Sequence, residues 1–441
     1  MNHLKSTWIG IRSSLWFVPA VIVCLSIILA LALVELDKQY QFKWVEQYPL
    51  LFGAGAEGSR GMLSTIAASM ITVAGLTFSL TIAALVTASA QYTSRILRNF
   101  MRDRRNQFVL GCFVGIFTYC LVVLRTIRST DEGNFVPALA VVSGLLLALF
   151  GIAILVFFIH HIATSIQAST IIAAITDETI AAVHKMFPEG AGAGALDLDV
   201  REANQRRGNG QTFQVRAATR GYVQTIAGQR LVDIAATHDV VVSMEVSPGD
   251  FVTIDMPLLT INGEIELSEE LAGAFRDAIA IQRYRTIDQE AGFGLRQLVD
   301  IALKALSPGI NDTTTAVMCI DHLSAILARL AGRVIPSRHR SEDGQVRLVV
   351  IGTRFPDMLN LAFDQIRCNA ARNVEVIAHL LRAIGTISQG TENADYLASL
   401  RHHLGLVADL ANDVPVEHDR ARIFKHLQQA EVAVDRYGRR T

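Results

Sequence analysis

Uncharged runs long enough to cross a bilayer fill most of the first 160 residues, and helical and strand periodicities alternate after them. Leu15 to Val34 contains no charged residue, and about 20 apolar positions in a helix match a hydrocarbon core of about 30 Å. A second uncharged run lies between Arg60 and Arg95, and a third between Arg105 and Arg125. A fourth begins at Val136, stays uncharged through Thr176 and turns polar after His160, so its helix is expected to continue into water as one long helix. The pattern predicts four membrane spans, at about 15–34, 62–90, 108–124 and 136–160. The second, read as one helix, is about 50 Å long, more than a bilayer needs, so it tilts or projects. The first run also reads as a signal peptide, because Lys5 and Arg12 precede it and Ala30-Leu31-Ala32 resembles a cleavage site. Its length exceeds an h-region of roughly 7–15 residues, which favours an uncleaved helix.

Beyond residue 165 the pattern is that of a water-soluble α+β protein. Residues 165–211 read as a helical extension and a Gly-rich, polar linker, "PEGAGAGALDLDVREANQRRGNGQ". The period then falls from 3.6 to 2, predicting a small β-rich module at 212–265 with strands near 213–217, 221–226, 240–246 and 251–261 and a helix at 228–237. Pro257 is expected to break the last of these strands. A mainly helical region follows at 266–441, with helices near 268–287, 294–306, 313–331, 357–386, 394–411 and 415–437. One strand-like run, 345–352, is expected to join the earlier strands. The expected fold is therefore a four-helix membrane domain followed by an α+β domain.

Composition changes this picture little. Charged residues make up 18% of the 441, against about 25% in soluble domains, and mean hydropathy is +0.34. A net charge of −1 argues against nucleic acid as the main partner. The five cysteines show neither Cys-x-x-Cys nor Cys/His ligand spacing, and three fall in apolar runs, so no metal or cofactor is expected. Lys/Arg bias sets orientation. The connection after the second run carries Arg95, Arg98, Arg102, Arg104 and Arg105 against Asp103 alone, which places both termini in the cytoplasm.

Three features carry candidate chemistry. Thr65, Ser69, Thr72 and Ser79 share one face of the second helix, with Thr77 and Thr81 on an adjacent stripe. Such a face suits close helix packing, and it also suits a hydrated pathway within an oligomer. Arg95, Arg98, Arg102 and Arg105 recur at 3/4 spacing, as a lipid-headgroup contact or the vestibule of a pore. The third is "ALSPGINDTTTA", where Ser307, Asn311, Asp312 and Thr315 form either a structural turn with Asp312 as N-cap or an anion- or partner-binding turn. Catalysis through Ser307 lacks a histidine at recognisable spacing, and Gly-x-Ser-x-Gly is absent, so no catalytic residue is assigned. Arg296, Asp300 and Lys304 lie at i, i+4 and i+8 as an ion-paired face, and Arg285, Asp288 and Arg296 could instead surround the turn.

The stretch "VSPGDFVTIDMPLLTI" resembles half of a biotinyl/lipoyl-type barrel, but no lysine occurs between Lys185 and Lys304 to hold a prosthetic group. Together, "FSLTIAALVTASAQYTSRILRNFMRD", "RTIDQEAGFGLRQLVDIALKALSPGINDTTTA" and the "GYVQ…PGDFV" stretch resemble an uncharacterised bacterial family of predicted membrane proteins. Members of that family usually read Asn-Asp-Pro where this chain has Asn311-Asp312-Thr313. Proline at a first helical position is favourable, so its loss fits a cap better than a catalytic requirement. The resemblance implies a multi-span inner-membrane protein with a cytoplasmic domain and supplies no activity. Two functions are expected from the residues. The first is a homo-oligomeric channel or conduit lined by the second span and assembled or gated by the cytoplasmic domain. The alternative is a membrane-anchored regulatory or scaffold protein that binds a ligand or partner. Membrane lipids and further copies of the chain are the expected partners, and an enzyme is not expected.

Overall fold

The computed structural model describes residues 16–40, 55–91, 104–128, 135–187, 211–370 and 373–438. The chain divides into two compact units, Met1–Thr170 and Ile171–Thr441. Most of the predicted linker lies outside the described residues.

In the first unit, α1 (Phe17–Tyr40), α2 (Gly55–Gln91), α3 (Arg104–Thr126) and α4 (Ala138–Ser165) pack around α3. Two glycines let α1 lie against α3. A Cβ on Gly111 would sit 2.7 Å from Ile22 Cδ1, and one on Gly115 would sit 2.7 Å from Ser26 Oγ. This is a Gly-x-x-x-Gly contact, in which the missing side chains allow two helix backbones to approach. Phe113, Tyr119, Leu63 and Phe158 are fully buried in the resulting core.

Polar groups tie one end of this bundle. Asp37, 7% exposed, accepts from the backbone N–H groups of Leu139 (3.2 Å) and Ala140 (3.0 Å), so a side chain of α1 caps the start of α4. Tyr119 Oη donates to the Ala140 carbonyl at 2.7 Å, and Arg60 donates to the Ile127 carbonyl at 2.7 Å. Helices α1 and α2 therefore extend past their uncharged runs, because the charged residues beyond those runs have partners. The fourth run is two helices rather than one. Thr164 and Ser165 bond back to the His160 and His161 carbonyls, α4 stops, and α5 (Ala168–Met186) begins after Ile166 and Gln167.

The second unit is mixed α+β. A five-stranded sheet has the order β1-β5-β3-β8-β7, formed by β1 (Gln211–Arg216), β3 (Val241–Met244), β5 (Pro257–Gly263), β7 (His339–Glu342) and β8 (Gln345–Val349). It is antiparallel except for the β3–β8 pair, through which the predicted strand at 345–352 does join the earlier ones. A three-stranded sheet, β4-β2-β6, joins β2 (Gly221–Ile226), β4 (Phe251–Val252) and β6 (Ile279–Gln282). Helices α6 (Gly228–Thr237) and α7 (Glu269–Arg276) cover the strands, and Leu231, Val242, Leu259, Ile261, Phe275 and Leu348 are fully buried between them. The remaining helices are α8 (Ala291–Ala305), α9 (Thr313–Ala331), α10 (Phe355–Asn369), α11 (Val374–Ser388), α12 (Ala394–Ala408) and α13 (Glu417–Gly438).

Several expectations are corrected. The predicted helix at 268–287 is α7 followed by β6, because Ile279 to Gln282 pair with β2. The predicted strand at 251–261 is β4 and β5, separated where Asp255 takes a φ of 65°, and Pro257 starts β5 rather than breaking a strand. Proline is tolerated there because a first strand residue need not donate to the ladder. The predicted helix at 357–386 is α10 and α11, with Asn373 capping the second. The polar strand β7 was not expected. It pairs with β8 through a turn at Asp343 and Gly344, both at positive φ.

Among the described residues, five helices are long and apolar enough to cross a membrane, the four expected, α1 to α4, and Thr313–Ala331. The last, α9, buries Ala316, Ile320, Leu323, Leu327 and Leu330 inside the second unit and exposes Asp321 and Arg329.

Helix α5 meets α8 at a point with no free space. A Cβ on Gly294 would lie 1.9 Å from Thr179 Oγ1. Gly294→Ala is expected to cost about 1–3 kcal/mol, partly recovered by Thr179→Ala, as measured by chemical unfolding of the double-mutant set. Asp37→Ala is expected to cost about 1–3 kcal/mol of membrane-unit stability by exposing two buried donors, with Asp37→Asn costing less because it retains an acceptor.

Candidate functional site

At the ALSPGIND segment the chain makes a tight corner between α8 and α9. The Ile310 and Asn311 N–H groups donate to the Ser307 carbonyl, Asp312 N–H donates to the Ala305 carbonyl at 2.8 Å, and Asn311 has a φ of 49°. Asp312 then caps α9, accepting from Thr315 N–H at 3.0 Å and Thr315 Oγ1 at 2.5 Å. The Thr315 hydroxyl, followed by the backbone bonds, holds the Asp312 carboxyl below the usual carboxylate range. Asn373 Nδ2 donates to Thr313 Oγ1 at 2.9 Å while its Oδ1 caps α11, so one corner starts two helices. Ser307 Oγ donates to the Lys304 carbonyl at 2.6 Å. His322 faces Thr176 at 2.8 Å. Arg296 bonds Gln365 at 2.8 Å and Arg285 bonds Glu290, so these two arginines have partners other than the turn.

On α2, Thr65, Ser69, Thr72 and Ser79 all face outward from the unit. Thr65, Thr72 and Ser79 donate to the carbonyls of Gly61, Ala68 and Gly75 at 2.8–2.9 Å. Gly61 and Gly75, on the same side, have open space around them. Of the arginine face, Arg95, Arg98 and Arg102 lie outside the described residues, and Arg105 is exposed in the first turn of α3.

One concavity in the second unit was not anticipated from sequence. A cavity of about 770 Å³ opens between the five-stranded sheet, the end of α5 and the starts of α6, α8 and α10. Met244, Val246, Leu348 and Val350 supply an apolar floor, and Met358 and Leu361 of α10 an apolar wall. Lys185 and Arg340 stand on it as cations, and Asp288, Glu290 and Asp357 as acids. Its volume lies within the range of small-molecule sites, roughly 300–1,000 Å³.

The rim at Glu290 is braced. Arg285 Nε donates to Glu290 Oε2 at 3.1 Å, and its guanidinium lies 4.8 Å from the Phe293 ring centroid. The bond to Glu290 raises the Arg285 pKa further. Gly249, at a φ of 98°, passes so close that a Cβ would fall 2.3 Å from the Glu290 carboxyl carbon. Among the described residues, no group of His, Cys, Asp and Glu is placed to hold a metal ion.

A family described as predicted membrane protein (DUF2254) matches residues 12–386. An uncharacterized protein of Mycobacterium bovis is 32% identical over 397 residues, covering 88% of this chain and 75% of that protein, and one of Mycobacterium tuberculosis matches to the same extent. No solved structure matches.

Asp312→Ala is expected to lower stability by about 1 kcal/mol as a lost N-cap. Because the folded pKa is depressed, the carboxylate's contribution is complete above its unfolded value of about 3.9 and is lost as pH falls through the folded value. Acid unfolding of wild type and variant should therefore converge at low pH. Ser307→Ala should leave stability within about 0.5 kcal/mol of wild type.

Proposed function

The chain belongs to the family of predicted membrane proteins, and from that membership together with the cavity we propose a membrane-anchored regulatory protein whose second unit binds a small ligand. In this reading α1 to α4 cross the bacterial inner membrane. Helix α9 stays in water, because one face packs inside its own unit and the other carries Asp321 and Arg329. Both termini are cytoplasmic, on the side of the basic connection between α2 and α3. The observation that carries the proposal is the 770 Å³ cavity, which joins an apolar floor to a few convergent polar groups.

A second reading rests on the outward face of α2. Small residues and hydroxyls already bonded to their own helix suit contact with another copy of the chain. A conduit along that contact also requires water beside Thr65, Ser69, Thr72 and Ser79. Thr72→Cys in native membranes should cross-link as a homodimer on oxidation, whereas Phe78→Cys, exposed on a different face of the same helix, should not. Cross-linking of neither would remove this reading, and a cross-linked protein that is silent in planar bilayers would leave the assembly without the conduit.

The ligand proposal is tested by mass spectrometry of small molecules released on denaturing the full-length protein purified in lipid nanodiscs. Wild type should release a molecule at near-stoichiometric yield, and Met358→Trp, which pushes an indole into the cavity from the α10 wall, should release less while keeping the wild-type circular dichroism. A saturating ligand at a hundred times Kd should stabilise the fold by about 2.7 kcal/mol. Equal release from both proteins would place the ligand elsewhere.

A further inference from the structure

Within the reading of the cavity as a ligand site, its lining also points to a class of ligand. Three helices begin on the cavity: α6 at Gly228, α8 at Ala291 and α10 with its first turn at Asp357. None of the three has a side-chain cap, their N-cap residues being Ala227, Glu290 and Arg354. The other α-helices of this unit whose N-caps are described, α7, α9, α11 and α12, are each capped by Ser268, Asp312, Asn373 or Asn393, and none of those four residues lines the cavity. First-turn N–H groups need acceptors, and each helix start carries roughly half a positive charge.

The case of α8 is the most telling. Its N-cap residue is a glutamate, able to accept from its own helix, yet Arg285 and the close passage of Gly249 hold that carboxylate away. The acids on the lining do not cancel the positive character. Glu290 is matched by Arg285, and Asp357 lies 3.8 Å from Arg354, which leaves Lys185 and Arg340 against Asp288. The opposite side of the cavity is the apolar floor of Met244, Val246, Leu348 and Val350.

We infer that the cavity takes an amphipathic anion, a phosphate or carboxylate head set among the starts of α6, α8 and α10 with Lys185 and Arg340, and an alkyl body against the β3–β8 floor. The cavity makes the site, and the helix starts set the sign of its ligand. An alkyl phosphate or fatty carboxylate dissolved in the cytoplasm and the headgroup end of an anionic lipid share this chemistry.

The test is calorimetric titration of the full-length protein in phosphatidylcholine nanodiscs with octyl phosphate, octanol, octylammonium and inorganic phosphate, using empty nanodiscs as the blank. Octyl phosphate should bind at least about ten-fold tighter than each of the other three. The Lys185→Ala/Arg340→Ala variant should lose about ten-fold for octyl phosphate and nothing for octanol. Met358→Trp should weaken octyl phosphate at least about ten-fold by intruding on the apolar wall. Displacement of octyl phosphate by dihexanoyl phosphatidic acid would assign a lipid source, and its failure to displace would assign a soluble one; either supports the inference. Equal affinity for octanol or octylammonium would overturn the anion while leaving the cavity a ligand site. Equal affinity for inorganic phosphate would overturn the apolar half. Silence of all four probes, with no molecule released from purified wild type, would remove both the inference and the ligand-binding reading beneath it.

Discussion

Backbone N–H groups at the start of a helix must find an acceptor, and this chain meets that demand in three ways. In the first unit the acceptor comes from another helix, because Asp37 of α1 caps α4. A bilayer offers no water to do so, and an unsatisfied group there costs several kcal/mol. In the second unit the acceptors are local for α7, α9, α11 and α12, which begin on Ser, Asp or Asn. The third way is to leave the helix start open on a cavity, as α6, α8 and α10 do. The first two fix the fold, and the third separates the positions that only build the protein from those that can meet a ligand.

Much of this fold is written locally and was legible there. Uncharged runs gave α1 to α4, and Asp312 before three threonines gave the start of α9. What was missed is non-local. Nothing near Asp37 announces a partner 102 residues away. The Ala278-Ile279-Ala280-Ile281 run continues an amphipathic helix on paper, and only its pairing with β2 makes it a strand. β7 is polar and exposed, so periodicity passes over it, although Asp343-Gly344 between the two strands is a hairpin signal. Gly111 and Gly115 were equally available in the sequence, their four-residue spacing hidden among the small residues of an apolar run. The cavity was illegible for a plainer reason: its walls come from segments between Lys185 and Leu361 that only the tertiary fold brings together.

The ALSPGIND corner shows how a distinctive motif can be structural. Three of the polar side chains at or next to it have a backbone or capping partner: Ser307 with Lys304, Asp312 with Thr315, and Thr313 with Asn373. The corner fixes the exit of α8 and the entry of α9, and through Asn373 the start of α11. Its distance along α8 from the cavity is one helix length, so the corner sets the far end of the element whose near end forms the rim. The outward hydroxyls of α2 follow the same logic, since a hydroxyl bonded to its own helix carbonyl can sit in an apolar contact without an unmet donor.

The brace at that rim joins structure to recognition. Glu290 stands in the position where a side-chain acceptor would close α8, and the simplest sequence solution would let it do so. Instead Arg285 takes the carboxylate and lies against Phe293, and the bond to Glu290 raises its pKa further. Gly249 completes the arrangement, since any side chain at that position would collide with the Glu290 carboxyl group. Arg285 and Gly249, from separate segments, thus keep one helix start uncapped and facing an apolar hollow. Arg285 and Glu290 are largely buried, so the desolvation of both charges offsets much of their attraction and the pair adds little net stability. Its physical effect is positional: it holds the N–H groups of α8 where a ligand can reach them, and it keeps the protein's own carboxylate from occupying their place.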